Sequence, residues 1–377
     1  MKRTLGSLMA VLVLTSTAWA QPWITAPMNP YPSPPEYITG GLDTAVLAGE
    51  GPDYCMGMSL NDVVGTYGRN VEVWCTDDSV PGVVRQNQLP VRDFGTVAVD
   101  GEHWAASEFD VNGGTAWYGA IGGTPEQASA FPSPSLSLSH YSNGSPLLVH
   151  GGVAPKNHVY LTAKDGLTWT TTQLTNNFTS PDHRYKTIAA RIFGDTLHIT
   201  YWDESWSAVR YARKAPGQSW LFETVFTMSP AEFDLWPSLA VNTGGEPAIV
   251  FPMYDGTIRV FERSAAGSWT QETLVDPAGA AVVYRNVAVE MNSDQLFLLY
   301  LTYNAPSDTT EIRYRKKIAG AWSAPEQVSA ATHRNMMYGL SMDFEEGPGT
   351  GTVPGPHIGF VLEPDFGIVF HGRRTSP

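Results

Sequence analysis

Arginine, histidine, tyrosine and aspartate recur together at a few places in this sequence. The stretch TSPDHRYKTIAA (Thr179 to Ala190) sets His183, Arg184 and Tyr185 side by side after Asp182. VRDFG carries Arg92 and Asp93, EFDLWP carries Asp234 and Trp236, VVYRN carries Tyr284 and Arg285, and THRNMMY carries His333, Arg334 and Tyr338. A guanidinium is a planar fork of donors that fits a carboxylate or sulfate, so four converging arginines would make an anion site. If Arg184 or Arg285 neutralised a sugar carboxylate, the adjacent C–H would become acidic. His183 or His150 would then take that proton, and Tyr185, Tyr284 or Tyr338 would protonate the departing oxygen. Each residue also has a plainer reading: the arginines as exposed loop charges or partners of Asp93 and Asp182, and a lone loop histidine as inert.

These residues must be positioned by repeated elements. Four segments align: KTIAARIFGDTLHITYWDESWSAVRYARKAPGQSWLFETV, PSLAVNTGGEPAIVFPMYDGTIRVFERSAAGSWTQETLV, NVAVEMNSDQLFLLYLTYNAPSDTTEIRYRKKIAGAWSAPEQV and LSLSHYSNGSPLLVHGGVAPKNHVYLTAKDGLTWTTTQL. Each reads as a short strand, a Gly/Asn/Asp turn, a very apolar strand, a polar turn, an alternating strand ending in basic residues, a Gly and Trp turn, and a polar strand. A period of about 50 residues built this way is the pattern of a four-stranded propeller blade. Thr44 to Pro90 and Gly95 to Phe131 fit the template more loosely. Tyr338 to Phe344, His357 to Leu362 and Gly367 to Gly372 supply three more strands. The expectation is an all-β, seven-bladed β-propeller over residues 21–377. Its last blade would be completed by QPWITAP (Gln21 to Pro27), which is similar to AWSAPEQ (Ala321 to Gln327). Closure of this kind protects sheet edges that would otherwise invite aggregation.

In such a fold the connections that enter each inner strand, and those between the two middle strands, emerge on one face around the central channel. The arginine-bearing stretches are entry connections. The middle-strand turns add His150, Tyr201, Trp202, Asp203, Trp206, Tyr254, Asp255, Tyr303 and Glu363. Aromatic faces beside carboxylates suit sugar rings, which stack through C–H and hydrogen-bond through hydroxyls. Tyr201 and Trp202 serve equally well as blade packing. The closing-turn tryptophans Trp169, Trp220, Trp269 and Trp322 read as structural.

The closing Gly-x-Trp, the strands IRVFER and VRYARK, and KDGLTW (Lys164 to Trp169) resemble blades of the sialidase-like, Asp-box propeller superfamily. Asp165, Gly166, Thr168 and Trp169 match its box, one residue short and without the leading Ser. The same blade is similar to those of bacterial propeller lectins and of ulvan-lyase-like polysaccharide lyases. The resemblance implies a propeller and leaves three activities open. A lectin would hold glycans at the channel mouth or between blades. A lyase would use the elimination chemistry above. A sialidase-like hydrolase would clamp a carboxylate with three arginines and attack with a tyrosine activated by Glu363, with Asp93 or Asp203 as acid/base. The superfamily's Arg-Ile-Pro is not matched: ARIF (Ala190 to Phe193) has Arg-Ile without Pro. A protein-binding scaffold is the alternative outside carbohydrate chemistry. His333, Trp236, Asp255 and Asp203 join the four arginines as expected substrate contacts.

Composition narrows the partners. Lys2 and Arg3, the apolar run Leu8 to Leu14 and the small residues Ala18 and Ala20 form an export signal over residues 1–20, so the expected location is periplasmic or secreted. No later run approaches the roughly 20 apolar residues of a spanning helix. Removing Lys2 and Arg3 takes the formal charge from -14 to -16, which repels nucleic acid. Cys55 and Cys75 lie at mirror positions about the turn NDVVGTYGRN (Asn61 to Asn70), and in an oxidising compartment they are expected to pair. No cofactor motif is present, and no His or Cys cluster has metal-ligand spacing. Calcium is the cation that loop carboxylates such as Asp203 and Glu204 would suit, without EF-hand spacing. Nothing in the sequence sets an oligomeric state.

Overall fold

The computed structural model describes residues 23–27, 36–46, 54–62, 69–77, 80–91, 94–109, 114–130, 135–151, 158–175, 188–203, 207–228, 236–276, 281–292, 294–328, 332–333, 340–344, 356–362 and 368–374. Among these residues the strands pair, antiparallel throughout, into seven sheets. The first holds Glu36–Val46, Tyr54–Asp62, Arg69–Asp77 and Val80–Val91; the second Phe94–Asp100, His103–Phe109, Ala116–Ala120 and Glu126–Ser129. The third holds Leu136–His140, Pro146–Gly151, Val159–Asp165 and Thr168–Gln173; the fourth Ile188–Phe193, Thr196–Asp203, Ala208–Lys214 and Leu221–Thr227. The fifth holds Ser238–Val241, Pro247–Pro252, Ile258–Arg263 and Trp269–Leu274. The sixth holds Ala281–Asn292, Gln295–Asn304 and Thr309–Ile318, whose outer side is shared by three short pieces, Ala321–Trp322, Glu326–Gln327 and Thr332–His333. The seventh joins Leu340–Phe344, Pro356–Leu362 and Ile368–Arg374 to Trp23–Pro27, with Trp23 opposite Arg374 and Pro27 opposite Phe370.

Residue type explains the order within each sheet. Second strands such as PLLVHG and PAIVFP are buried at every position, as expected for a strand covered on both faces. Fourth strands such as TWTTTQ are exposed or half-exposed throughout. The apolar clusters lie between consecutive sheets. Leu147, Val149, Ile199 and Tyr201 meet between the third and fourth, and Phe297, Leu299, Ile358 and Phe360 between the sixth and seventh.

First strands of consecutive sheets lie against one another, and the first strand of the seventh sheet lies against that of the first. Side chains knit them. Ser135 Oγ accepts from the Ile188 amide at 3.1 Å, Ser137 Oγ from the Ala190 amide at 3.2 Å, and Ser238 Oγ from the Val289 amide at 3.1 Å. Tyr54 of the first sheet stacks on His357 of the seventh with ring centroids 5.4 Å apart. Arg191 and Glu290 form an ion pair joining the first strands of the fourth and sixth sheets.

Several features differ from the sequence expectation: His150, Tyr201, Trp202, Asp203 and Tyr303, expected in middle-strand turns, lie within strands, and three further differences are in the elements themselves. The first sheet begins at Glu36, eight residues before Thr44, because the register slips between Ile38 and Leu42, where Gly40 and Gly41 interrupt the alternation. Tyr284 and Arg285, expected in a connection, fall inside the strand Ala281–Asn292, at its slip between Val282 and Val287. His333, also expected in a connection, belongs to a short strand paired with Thr309.

Cys55 and Cys75 are direct cross-strand partners, 4.1 Å apart at Cα, and form a disulfide. Gly57 on the same strand faces the second sheet. A Cβ there would lie 2.5 Å from Val97 Cγ2 and 2.8 Å from Val99 Cγ2, both on stiff branched side chains. Gly57→Ala is expected to cost about 1–3 kcal/mol by overpacking, read as a lower urea midpoint at unchanged slope.

Candidate functional site

Many of the residues expected at the channel mouth lie outside the described residues: Arg92, Asp93, His183, Arg184, Tyr185, Arg334, Tyr338 and Glu363. Tyr284, Arg285 and His333 are described in backbone only. Among the rest, His150 sits inside the third sheet. It is fully buried, with Nε2 2.9 Å from Thr162 Oγ1 and its ring stacked on Tyr160 at 5.6 Å. Burial pushes its pKa down to about 4. Asp203 is buried at the end of its strand, 3.9 Å from Arg210 Nε. Asp255 is exposed and organises its own turn, accepting from the Thr257 amide at 2.9 Å and from Thr257 Oγ1 at 2.6 Å. Trp236 is half-buried just ahead of the fifth sheet's first strand. Tyr201 and Trp202 are buried packing residues.

Antiparallel pairing puts the turn between first and second strands and the turn between third and fourth strands at the same edge of every sheet. That edge is opposite the one at which the first strands begin. It holds two clefts and a repeated clamp between neighbouring sheets. Asp195, at φ 59°, accepts from the Ser142 amide and Ser142 Oγ, both at 2.7 Å. Asp294, at φ 61°, accepts from the Thr243 amide at 2.9 Å and Thr243 Oγ1 at 2.6 Å. These bonds hold both carboxyls below the usual range.

Between the second and third sheets Asp100 plays the corresponding part through a histidine. His140 places Nδ1 2.7 Å from Asp100 Oδ2 and Nε2 3.1 Å from Tyr118 Oη, and its ring lies 4.7 Å from that of His103. Asp100, Glu102, His103, Ser139, His140 and Arg191 line a cleft of about 410 Å³ there. Burial, and then the neighbouring His140, hold His103 below the usual imidazole value. The sequence offered a faint signal for these clamps. Polar residues end or follow the first strands in VAVDGEH, SLSHYSNG, ARIFGD and AVEMNSD.

The second cleft, about 510 Å³, opens between the third and fourth sheets. Leu147, Leu161 and Leu197 form its floor, and Tyr141, Trp220 and Lys214 are among the side chains on its walls. Thr170 and Thr172 add hydroxyls from the third sheet's outer strand, with Ser142 and Asn143 at one end. Burial, then Asp195, raise the Tyr141 phenol, which stays neutral and able to donate. Lys214 Nζ lies 5.6 Å from the centroid of the Trp220 ring. Of the four closing-turn tryptophans read as structural, Trp220 therefore borders a cleft. Trp269 instead packs edge-on to Tyr211 and donates to Glu223 Oε2 at 2.9 Å. An apolar floor, aromatic walls and a few hydroxyl, amide and ammonium groups are what a sugar ring needs.

Among the described residues no three His, Cys, Asp or Glu side chains group as metal ligands, and no helix is long and apolar enough to cross a membrane. No protein-family model matches the chain, and no curated protein matches it in sequence. Solved structures do match in fold. The BP39L lectin of Burkholderia pseudomallei, 11% identical, aligns over 90% of this chain and 97% of its own with a TM-score of 0.60. A mutant of the Aleuria aurantia lectin in complex with Fucα1-6GlcNAc, 12% identical, aligns over 80% of this chain and 98% of its own with a TM-score of 0.50. At such identities the likeness concerns the fold: this all-β chain is built of four-stranded antiparallel sheets in the manner of the β-propeller lectins.

Proposed function

We propose that the chain is an exported, seven-bladed β-propeller that binds carbohydrate without needing chemistry. Circular closure is supported by the run of first-strand contacts that returns from the seventh sheet to the first. It is supported again by Trp23, which stands opposite Arg374 as Trp169 stands opposite Lys164 and Trp269 opposite Arg263. Export is favoured by the leader-like residues 1–20 and by the disulfide, a bond that persists in oxidising compartments.

The observation that carries the functional reading is the cleft between the third and fourth sheets, with Trp220 and Tyr141 beside hydroxyl and ammonium groups. A ring stacked there would lose its aromatic wall in Trp220→Ala. Titration calorimetry against neutral and acidic oligosaccharides is expected to show binding that Trp220→Ala weakens about tenfold, roughly 1.4 kcal/mol. Binding unaffected by that change would move the site elsewhere, and no binding to any glycan would overturn the reading. Elimination or hydrolysis at the arginine-bearing connections rests on the sequence alone. A rise in ultraviolet absorbance on incubation with uronate polymers would reveal the lyase version.

A further inference from the structure

Among the described residues, four of the seven sheets share one arrangement at their third strands, and in one of these four it is incomplete. In four sheets a cation at or next to the end of the third strand neighbours the closing-turn tryptophan: Lys164, Lys214 and Lys317 lie 5.6, 5.6 and 5.8 Å from the ring centroids of Trp169, Trp220 and Trp322, and Arg263 is the register partner of Trp269. In three of these the cation is met by a glutamate from the preceding sheet. Lys164 pairs with Glu126. Arg263 takes Glu223 in a two-pronged contact of 2.8 and 2.9 Å. Lys317 pairs with Glu272 at 2.9 Å and also with Glu262. Glu126, Glu223 and Glu272 hold the same register place on their outer strands, opposite Tyr118, Tyr211 and Val260.

In the third sheet that place, opposite Leu161, is held by Thr172. Thr172 faces the cleft that Lys214 and Trp220 border. Lys214 is exposed, and among the described residues it has no carboxylate in ion-pair range. The nearby Asp195 does not take the part of the missing glutamate, because both its oxygens are turned to Ser142. The fold thus builds a carboxylate into three seams and omits it from the fourth, where a cleft of about 510 Å³ stands open beside an unneutralised ammonium and an indole.

We propose that this seam takes the carboxylate of a uronic-acid residue, so that the ligand supplies the acid that Glu126, Glu223 and Glu272 supply elsewhere. The sugar ring would rest against Trp220 and Tyr141, the carboxylate would face Lys214, and Thr172 would leave room for it and offer a hydroxyl. This assignment rests on the carbohydrate-binding reading and adds the ligand class.

The test uses the full chain and four probes: tetragalacturonate, tetraglucuronate and the carboxyl-reduced, neutral form of each, titrated at low salt. At least one acid tetramer is expected to bind at least tenfold tighter than its reduced counterpart. Lys214→Gln should erase that preference. Thr172→Glu, which restores the built-in acid, should abolish acid binding while the thermal midpoint holds or rises. That midpoint separates a closed site from a failed fold, and Lys214→Gln gives an independent readout should Thr172→Glu not fold. Equal binding of acid and reduced tetramers would overturn the uronate assignment and leave carbohydrate binding standing. So would acid binding that survives both substitutions. Absence of binding by all four probes would overturn the uronate assignment, and the wider glycan titration with Trp220→Ala then decides the carbohydrate reading by itself.

Discussion

Cys55→Ala/Cys75→Ala is expected to lower the stability of the first sheet's part of the molecule by about 3 kcal/mol. The bond closes a loop with a sequence separation of 20, and removing the cross-link restores that loop's freedom to the unfolded chain. Both residues are buried, at 0% and 2% exposure, in the cluster with Val71, Val73 and Val97, so truncation also leaves small voids. The urea midpoint of the double variant should fall accordingly. Reductant added to the native parent should do little until unfolding exposes the bond. A midpoint unchanged by the double substitution would show that the disulfide does not cross-link a loop that unfolding frees.

The second large effect is expected at Glu223, which receives three charge-assisted or indole hydrogen bonds at 2.8 to 2.9 Å, from Arg263 Nε, Arg263 Nη2 and Trp269 Nε1. The Arg263 side chain is 9% exposed and that of Glu223 19%. Removing the acid strands a guanidinium and an indole N–H in a seam that screens them poorly. Glu223→Ala should therefore cost about 2–3 kcal/mol, read as a lower urea midpoint. The pair also makes stability depend on pH. Burial alone would raise the Glu223 carboxyl, but the bonds from Arg263 and Trp269 outweigh it and leave the folded value below the ordinary one. Such a group stabilises fully above the unfolded carboxylate pKa, and its contribution is lost as pH falls through the depressed folded value. Parent and Glu223→Ala midpoints should thus converge in acid and separate toward neutrality. A constant gap across that range would show that the substitution acts through lost packing alone.

The seam arrangement links these predictions to the ligand cleft. Where sheet and neighbour exchange a Glu and a cation, the gap is filled and the exchange contributes to holding the two sheets together. Where Thr172 replaces the acid, that contribution is given up and a cleft is left. A Thr172→Glu chain that becomes more stable while losing its ligand would be a local trade of stability for binding.

Local pattern carried much of this molecule. Period-two alternation, apolar second strands and Gly or Asp turns were enough to mark most strands of sheets three to six, and the second sheet more loosely. The likeness of QPWITAP to AWSAPEQ foretold the pairing of Trp23–Pro27 with Ile368–Arg374. The mirror spacing of Cys55 and Cys75 foretold their bond. The pattern misled where a strand slips, at Gly40 and Gly41 and again before Val287, because a slip breaks the alternation on which the reading depends.

What only the tertiary structure decided is which side chains meet across a seam. Lys164 and Glu126 are 38 positions apart, Arg263 and Glu223 are 40, and Lys317 and Glu272 are 45. Nothing in a window of ten residues distinguishes Thr172 from any other polar residue on an exposed outer strand. Strand formation is written in the alternation of neighbours. A vacancy between sheets exists only once two strands remote in the chain are packed face to face, so the lysine left without an acid at Lys214 becomes visible only in the folded molecule.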